Sequence, residues 1–110
     1  MNIRIQSELD ILSDIIVNTI PVEQIILFGS YANDTSHPDS DIDLYVVMKD
    51  DTEIREIDAI RLIRRAIRDE KTMPVDIMVS SLRNFKKRQT TPSIERGIAE
   101  EGQVLYGKII

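Results

Sequence analysis

Asp41 and Asp43 stand at the mouth of an apolar run that continues through residues 42–48. If that run is a strand, alternate residues point to one face, about 6.5 Å apart along the backbone. Both carboxylates then look at one point, where a cation can hold them together. Upstream, the apolar stretch 24–28 ends in Gly29-Ser30 and passes into helix-like sequence. In that setting backbone N–H groups can hold phosphate. A third acid, Asp76, is second in another apolar run, Val75 to Val79, where aspartate is normally depleted and an unpaired buried carboxylate is costly. Three neighbouring carboxylates repel and raise one another's pKa unless a cation neutralises them. The chemistry this set permits is metal-assisted reaction at a phosphate. Oxygen-only ligands, with no cysteine and a single histidine, point to Mg²⁺ or Mn²⁺ rather than zinc. The competing reading is that Asp76 forms a structural salt bridge with an arginine of the helix before it.

The elements that must position these residues follow from the apolar periodicity. Ser7 is read as the cap of a first helix through Thr19, with Glu8 and Asp10 in its first turn, where the helix dipole favours negative charge. Leu9, Leu12, Ile16 and Ile20, flanked by Ile11 and Ile15, make its apolar face, and Pro21 ends it. Residues 24–28 suit a strand buried on both faces. One short helical piece is expected after Gly29, stopped at Asn33-Asp34, and a polar loop leads to the strand at 42–48. A long helix is expected over 53–69 with Ile54, Ile57, Ile60, Leu62, Ile63, Ala66 and Ile67 on its stripe and arginines on its other sides. A third strand follows at 75–79, then a short helix capped by Ser81 and running through Arg88. Thr91-Pro92 reads as a cap and first helical position for a last helix ending at Gly102, and 103–106 as an edge strand. The order α-β-α-β-α-β-α-α-β describes a small α/β (α+β) sandwich, a mixed sheet packed with helices.

The chain as a whole fits this. Its 110 residues make one domain, 1–110, with 42% hydrophobic and 30% charged residues, ordinary for a globular protein with a real core. The net charge of −5 argues against a polynucleotide as main ligand, since such binders carry a basic footprint. It leaves nucleotides open, because a metal can carry their charge. Without cysteine there is no disulfide framework or thiolate site, and the redox compartment stays open. Residues 1–7 lack the apolar core of a signal peptide and no run approaches membrane-spanning length, so a cytoplasmic protein is expected, with no membrane partner.

Other polar residues receive plainer readings. His37, in Ser36-His37-Pro38, is a solvated loop residue with no partner to make it a base. Tyr31 packs at the strand–helix junction, with a nucleotide contact as the alternative. Arg83, Lys86, Lys87 and Arg88 form a basic cluster, most simply a solvated face, alternatively one that meets an acidic partner or phosphates. Tyr106 packs at a sheet edge. Gly29-Ser30 alone is a tight turn, and it gains a functional reading only from the acids that follow. No P-loop pattern is present.

Together the residues resemble a known family. Gly29-Ser30, ten residues, then Asp41-Ile42-Asp43 is similar to the G-S-x10-D-x-D signature of the DNA polymerase β-like nucleotidyltransferase superfamily. LFGSYANDTSHPDSDIDLYVV is more closely similar to the minimal nucleotidyltransferase (MNT) group, with Asp76 in VDIMV as its third acid. SIERGIAEEGQVLYG looks like the group's last helix and strand, so the resemblance spans roughly residues 7–107. Many members carry arginine after the Gly-Ser and Arg-Gly a little later, where this chain has Tyr31 and Asn33-Asp34.

The resemblance implies a polymerase β palm-like core in which Gly29 and Ser30 position a triphosphate. It also implies that Asp41, Asp43 and Asp76 bind two metal ions, Mg²⁺ or Mn²⁺, and that Asp76 helps to activate the attacking hydroxyl. The implied reaction is in-line attack on the α-phosphorus of a nucleoside triphosphate with pyrophosphate leaving. Two ions about 3.5–4 Å apart stabilise the attacking and leaving oxygens in such chemistry. The chain ends with the catalytic core, so a partner is expected to supply the acceptor. The resemblance implies a HEPN-domain toxin that the MNT protein, as antitoxin, modifies by AMP transfer from ATP to a tyrosine hydroxyl. Two further readings compete: an antitoxin that neutralises by complex formation with a weak or silent site, and a transferase for a small hydroxyl compound such as an aminoglycoside.

Overall fold

A computed structural model describes residues 3–37 and 40–107. The elements run α1 (Ile3–Thr19), β1 (Val22–Phe28), β2 (Ile42–Met48), α2 (Glu56–Ile67), β3 (Val75–Ser81), α3 (Leu82–Arg88), α4 (Ile94–Glu101) and β4 (Gln103–Tyr106). The four strands form one sheet in the order β3-β2-β1-β4. β1 pairs antiparallel with both β2 and β4, while β2 and β3 are parallel. The parallel pair needs a crossover, which α2 supplies. The sheet is thus mixed, as expected.

Strand alternation sorts the core into two layers. Ile25 and Leu27 of β1, with Ile42, Leu44, Val46 and Met48 of β2, face α1 and α2, joining Leu9, Leu12, Ile16, Ile63 and Ile67 in the larger cluster. The opposite face carries Ile26, Tyr45 and Val47 under Phe85 of α3 and Ile98 of α4. β1 is consequently buried on both sides. Asp43 and Asp76 occupy the parity of Tyr45 and Met78, so they open toward the α3/α4 side at the end of the sheet where β2 and β3 begin.

The structure corrects several expected boundaries. α1 begins at Ile3, and Ser7 is an exposed residue inside it rather than its cap. Ile5 joins the core, which extends the amphipathic face by a turn. Glu8 turns inward, where its carboxylate accepts hydrogen bonds from the Thr72 N–H (2.8 Å) and hydroxyl (2.7 Å). The piece after Gly29 is a single turn and no helix: the N–H of Asn33 bonds to the Gly29 carbonyl and that of Thr35 to Ser30. Asp34 ends the turn with a φ of 56°. α2 starts at Glu56, not residue 53, and Ile57 and Leu62 of its expected stripe are exposed. The cap of α4 is Ser93, whose hydroxyl accepts from the Arg96 N–H at 3.2 Å, so Thr91-Pro92 lies outside the helix. Ser81 caps α3 as expected, accepting from the Asn84 N–H.

Candidate active site

The acids are aligned by strand register. Asp43 of β2 lies opposite Phe28 of β1 on one side and beside Asp76 of β3 on the other. Neighbouring strands are about 4.8 Å apart, so the two carboxylates share one face at adjacent positions. The Asp43 carboxyl is pushed above the usual carboxylate range, first by burial, then by the negative charges of Asp76 and Asp41, and by a hydrogen bond with Asp76. Two carboxyl groups meet that way only when a proton or a cation sits between them. Asp41 precedes the strand on the exposed rim. The Ile42 N–H bonds to the Pro74 carbonyl at 3.0 Å, which locks the starts of β2 and β3 together.

Asp76 is exposed, contrary to the burial expected of it. The alternative salt bridge is not formed: among the described residues no ion pair joins Asp76 to an arginine of α2. Its neighbour is Asp43.

Gly29 completes the cluster. Its φ of 76° is a conformation that side chains rarely adopt, and a Cβ placed there would collide with the Asp43 carboxylate. Glycine is required both by the turn and by the acid packed over it. The turn folds its carbonyls back onto Asn33 and Thr35, while the N–H groups of residues 30–32 have no backbone partner among the described residues. These are the orphan donors of a first helical turn, available to an anion. A cleft of about 220 Å³ runs from this turn to α4, between Phe28, Ala32 and Asn33 on one side and Gly97 and Ile98 on the other.

The two paired carboxylates are oxygen donors of the type that hard divalent cations prefer. Among the described residues no group of three His, Asp or Glu side chains is placed to hold a metal ion, so the expected triad of Asp41, Asp43 and Asp76 is not drawn together and the paired acids are Asp43 and Asp76. An open edge suits Mg²⁺, which keeps several waters and is usually held by one or two carboxylates plus substrate phosphates.

The remaining expected residues lie apart from the acids. Tyr31 is buried in the larger core, and its hydroxyl makes a long hydrogen bond (3.4 Å) to the Ser40 carbonyl, tying the turn to the loop before β2. His37 is exposed, and its backbone N–H donates to the Ser40 hydroxyl at 3.0 Å. In the α3 basic cluster, Arg88 lies 3.8 Å from Glu95. That pair belongs to a buried network that local sequence patterns do not show. The Tyr45 hydroxyl lies 2.9 Å from Ser80 Oγ and donates to Glu95 Oε2 at 3.0 Å. Burial, the largest cause, pushes the Tyr45 phenol up to about 12. The network fastens the start of α4 to the sheet, and α4 walls the cleft beside Gly29. The one available signal was a tyrosine at an inward position of an otherwise aliphatic strand.

The profile of the nucleotidyltransferase domain matches residues 9–105, nearly the whole chain. The chain belongs to the nucleotidyltransferase domain family. Among curated proteins, no sequence matches it. Solved structures share its fold. A nucleotidyltransferase assignment accompanies the one from Sulfolobus solfataricus, with a TM-score of 0.69 at 19% identity over 96% of this chain and 83% of that one. A toxin–antitoxin structure with AMP-PNP gives a TM-score of 0.62 at 24% identity over 91% of this chain and 73% of the other. A doubly aspartate-to-glutamate mutant of the toxin–antitoxin MntA-HpeT gives 0.60 at 21%, with the same coverage. At these identities the likeness establishes the nucleotidyltransferase fold.

Proposed function

We propose that this nucleotidyltransferase is the antitoxin of a toxin–antitoxin pair and transfers AMP from ATP to a hydroxyl, a tyrosine side chain, of a HEPN-domain partner toxin. The observation that carries the reading is the side-by-side placement of Asp43 and Asp76 next to the Gly29 turn. Support for the antitoxin role comes from the shared fold with toxin–antitoxin structures, one of them holding AMP-PNP.

In this reading Gly29 leaves room for the outer phosphates, and the amides of residues 30–32 with the Ser30 hydroxyl hold them. Asp41, Asp43 and Asp76 are the residues that would hold Mg²⁺, with Mn²⁺ as a substitute. When bound, the two ions neutralise the charge that develops on the attacking and leaving oxygens. The Asp76 carboxylate orients the acceptor hydroxyl and takes up its proton. The acceptor oxygen forms a bond to the α-phosphorus as the bond to the β-phosphate oxygen breaks, and pyrophosphate leaves. Catalysis of this kind is positioning plus charge neutralisation, with no covalent intermediate on the protein.

The described residues contain no helix long and apolar enough to cross a membrane, and the reading places the pair in the cytoplasm, without direct nucleic-acid binding by this chain. The test is incubation of purified protein and partner with Mg²⁺ and α-labelled ATP. Label on the partner that is absent with Asp43→Ala supports the proposal, and no label above that control refutes it. A second reading, neutralisation by complex formation alone, is favoured by one observation: Tyr31, the residue after Gly29-Ser30, is buried and offers the phosphates no cation. Under it, Asp43→Ala neutralises the toxin as well as wild type.

A further inference from the structure

The end of α2 and the turn after it place three cations around one cleft: Arg64 in the last helical turn, Arg68 at the C-cap four residues later, and Lys71, whose N–H bonds back to the Ile67 carbonyl at 3.0 Å. Together with Ile67, Val75 and Asp76 they line this cleft of about 280 Å³. All three cations are exposed. None makes an ion pair among the described residues, although Asp69 and Glu70 are their chain neighbours; the acid of α2 that does pair, Asp58, engages Arg55 and Arg61 at the other end. The helix dipole favours cations at a helix C-terminus, which accounts for Arg64 and equally for Arg65, but not for three cations facing one cleft beside a candidate catalytic acid. On a chain of net charge −5 this is a local reversal of sign.

Its position says which reactant it meets. The Gly29 turn follows β1, while the cleft opens beside β3, the edge strand on the far side of β2. A triphosphate held at the turn reaches Asp43 from the β1 side. The cleft lies at the β3 edge with Asp76 in its lining, the acid that in the proposed reaction takes the proton of the acceptor hydroxyl.

We propose that Arg64, Arg68 and Lys71 form an acceptor-docking surface that takes an acidic segment of the partner protein, with carboxylates flanking the hydroxyl to be modified. The inference rests on the nucleotidyltransferase reading for the direction of approach. A protein segment, not a polynucleotide, is the matching occupant: three cations suit two or three carboxylates, and the negative charge of the whole chain repels a long polyanion.

The test uses two fluorescent tyrosine peptides of equal length, one flanked by glutamates and one by lysines. Their binding to the full chain is read by anisotropy without nucleotide or metal, so the result stands apart from whether transfer occurs. The expected result is selective binding of the glutamate peptide, weakened by salt and weakened about tenfold by Arg64→Ala/Arg68→Ala/Lys71→Ala, with binding restored when Arg64→Lys and Arg68→Lys replace the alanines. An unchanged melting temperature confirms that the alanine variant is folded. Equal binding of the two peptides, or full binding to the alanine variant, overturns the proposal. Tighter, patch-dependent binding of a single-stranded oligonucleotide also overturns it, in favour of a nucleic-acid acceptor. Failure of the α-label transfer assay alongside selective peptide binding counts against the proposed reaction and leaves the docking surface intact.

Discussion

Replacing Asp43 by asparagine removes the site's central carboxylate and, without ligands, stabilises the fold. Asp43 and Asp76 are direct neighbours across a parallel ladder, with Asp41 adding to the negative potential. Because the folded-state pKa of Asp43 is raised, the folded protein binds that proton more tightly than the unfolded chain. Stability from this group is full below the ordinary carboxylate pKa, falls as pH rises through it, and stays reduced once pH exceeds the raised folded value. The penalty is therefore largest above the raised folded value and absent in acid. Like-charged neighbours across a ladder cost about 0.2–1 kcal/mol, and the half-buried position keeps solvent screening in that estimate. An asparagine amide can also donate to the Asp76 carboxylate. For a domain of this size the gain corresponds to a rise in Tm of about 1–8 °C. The assay is thermal unfolding of wild type and Asp43→Asn at pH 7.5 and pH 3 in EDTA, then at pH 7.5 with Mg²⁺ and a non-hydrolysable triphosphate. The variant should be the more stable at pH 7.5, the gap should close at pH 3, and ligands should raise the Tm of wild type alone. A variant less stable than wild type at pH 7.5, or a gap unchanged at pH 3, refutes the charge-repulsion argument.

Three further substitutions probe the scaffold. Gly29→Ala forces a left-handed backbone and pushes a methyl against Asp43, so denaturant unfolding should show a loss of about 1–2 kcal/mol or more, with transfer activity falling alongside. Tyr45→Phe leaves the buried Glu95 carboxylate without its hydroxyl donor, a loss of about 1–3 kcal/mol by the same measurement. Ser93→Ala removes the α4 cap and should cost about 1 kcal/mol, whereas Thr91→Ala, outside the helix, should stay within about 0.5 kcal/mol of wild type.

What could be read from the residues alone was whatever is encoded locally. Asp43 near the start of β2, Asp76 second in β3 and the glycine after a buried strand appear in the structure where spacing implies, whereas Asp41 lies just before β2 and Asp76 is exposed instead of buried. The lateral match of Asp43 with Asp76 was not readable, because a one-residue slip in the β2–β3 register would send Asp76 to the other face. Helix starts failed where two signals competed. At α1 the apolar Ile5 extended the buried face beyond Ser7, and at α4 Ser93 captured the capping bond ahead of Thr91-Pro92. Polar contacts between distant residues left no local trace. Glu8 with Thr72, Glu56 with the Ser81 N–H and Asn84, and Tyr45 with Ser80 and Glu95 each depend on a packing arrangement that exists only after the sheet forms.

Under the proposed function the group transferred is the nucleoside monophosphate, directed by the acids beside Gly29. Parallel reactions of the protein and its partner with α-labelled and γ-labelled ATP in Mg²⁺ test it most directly. The expected result is α-label on the partner, γ-label only in released pyrophosphate, and neither product with Asp43→Ala. Label from the γ-position on the partner, or α-label transferred equally well by Asp43→Ala, would contradict it.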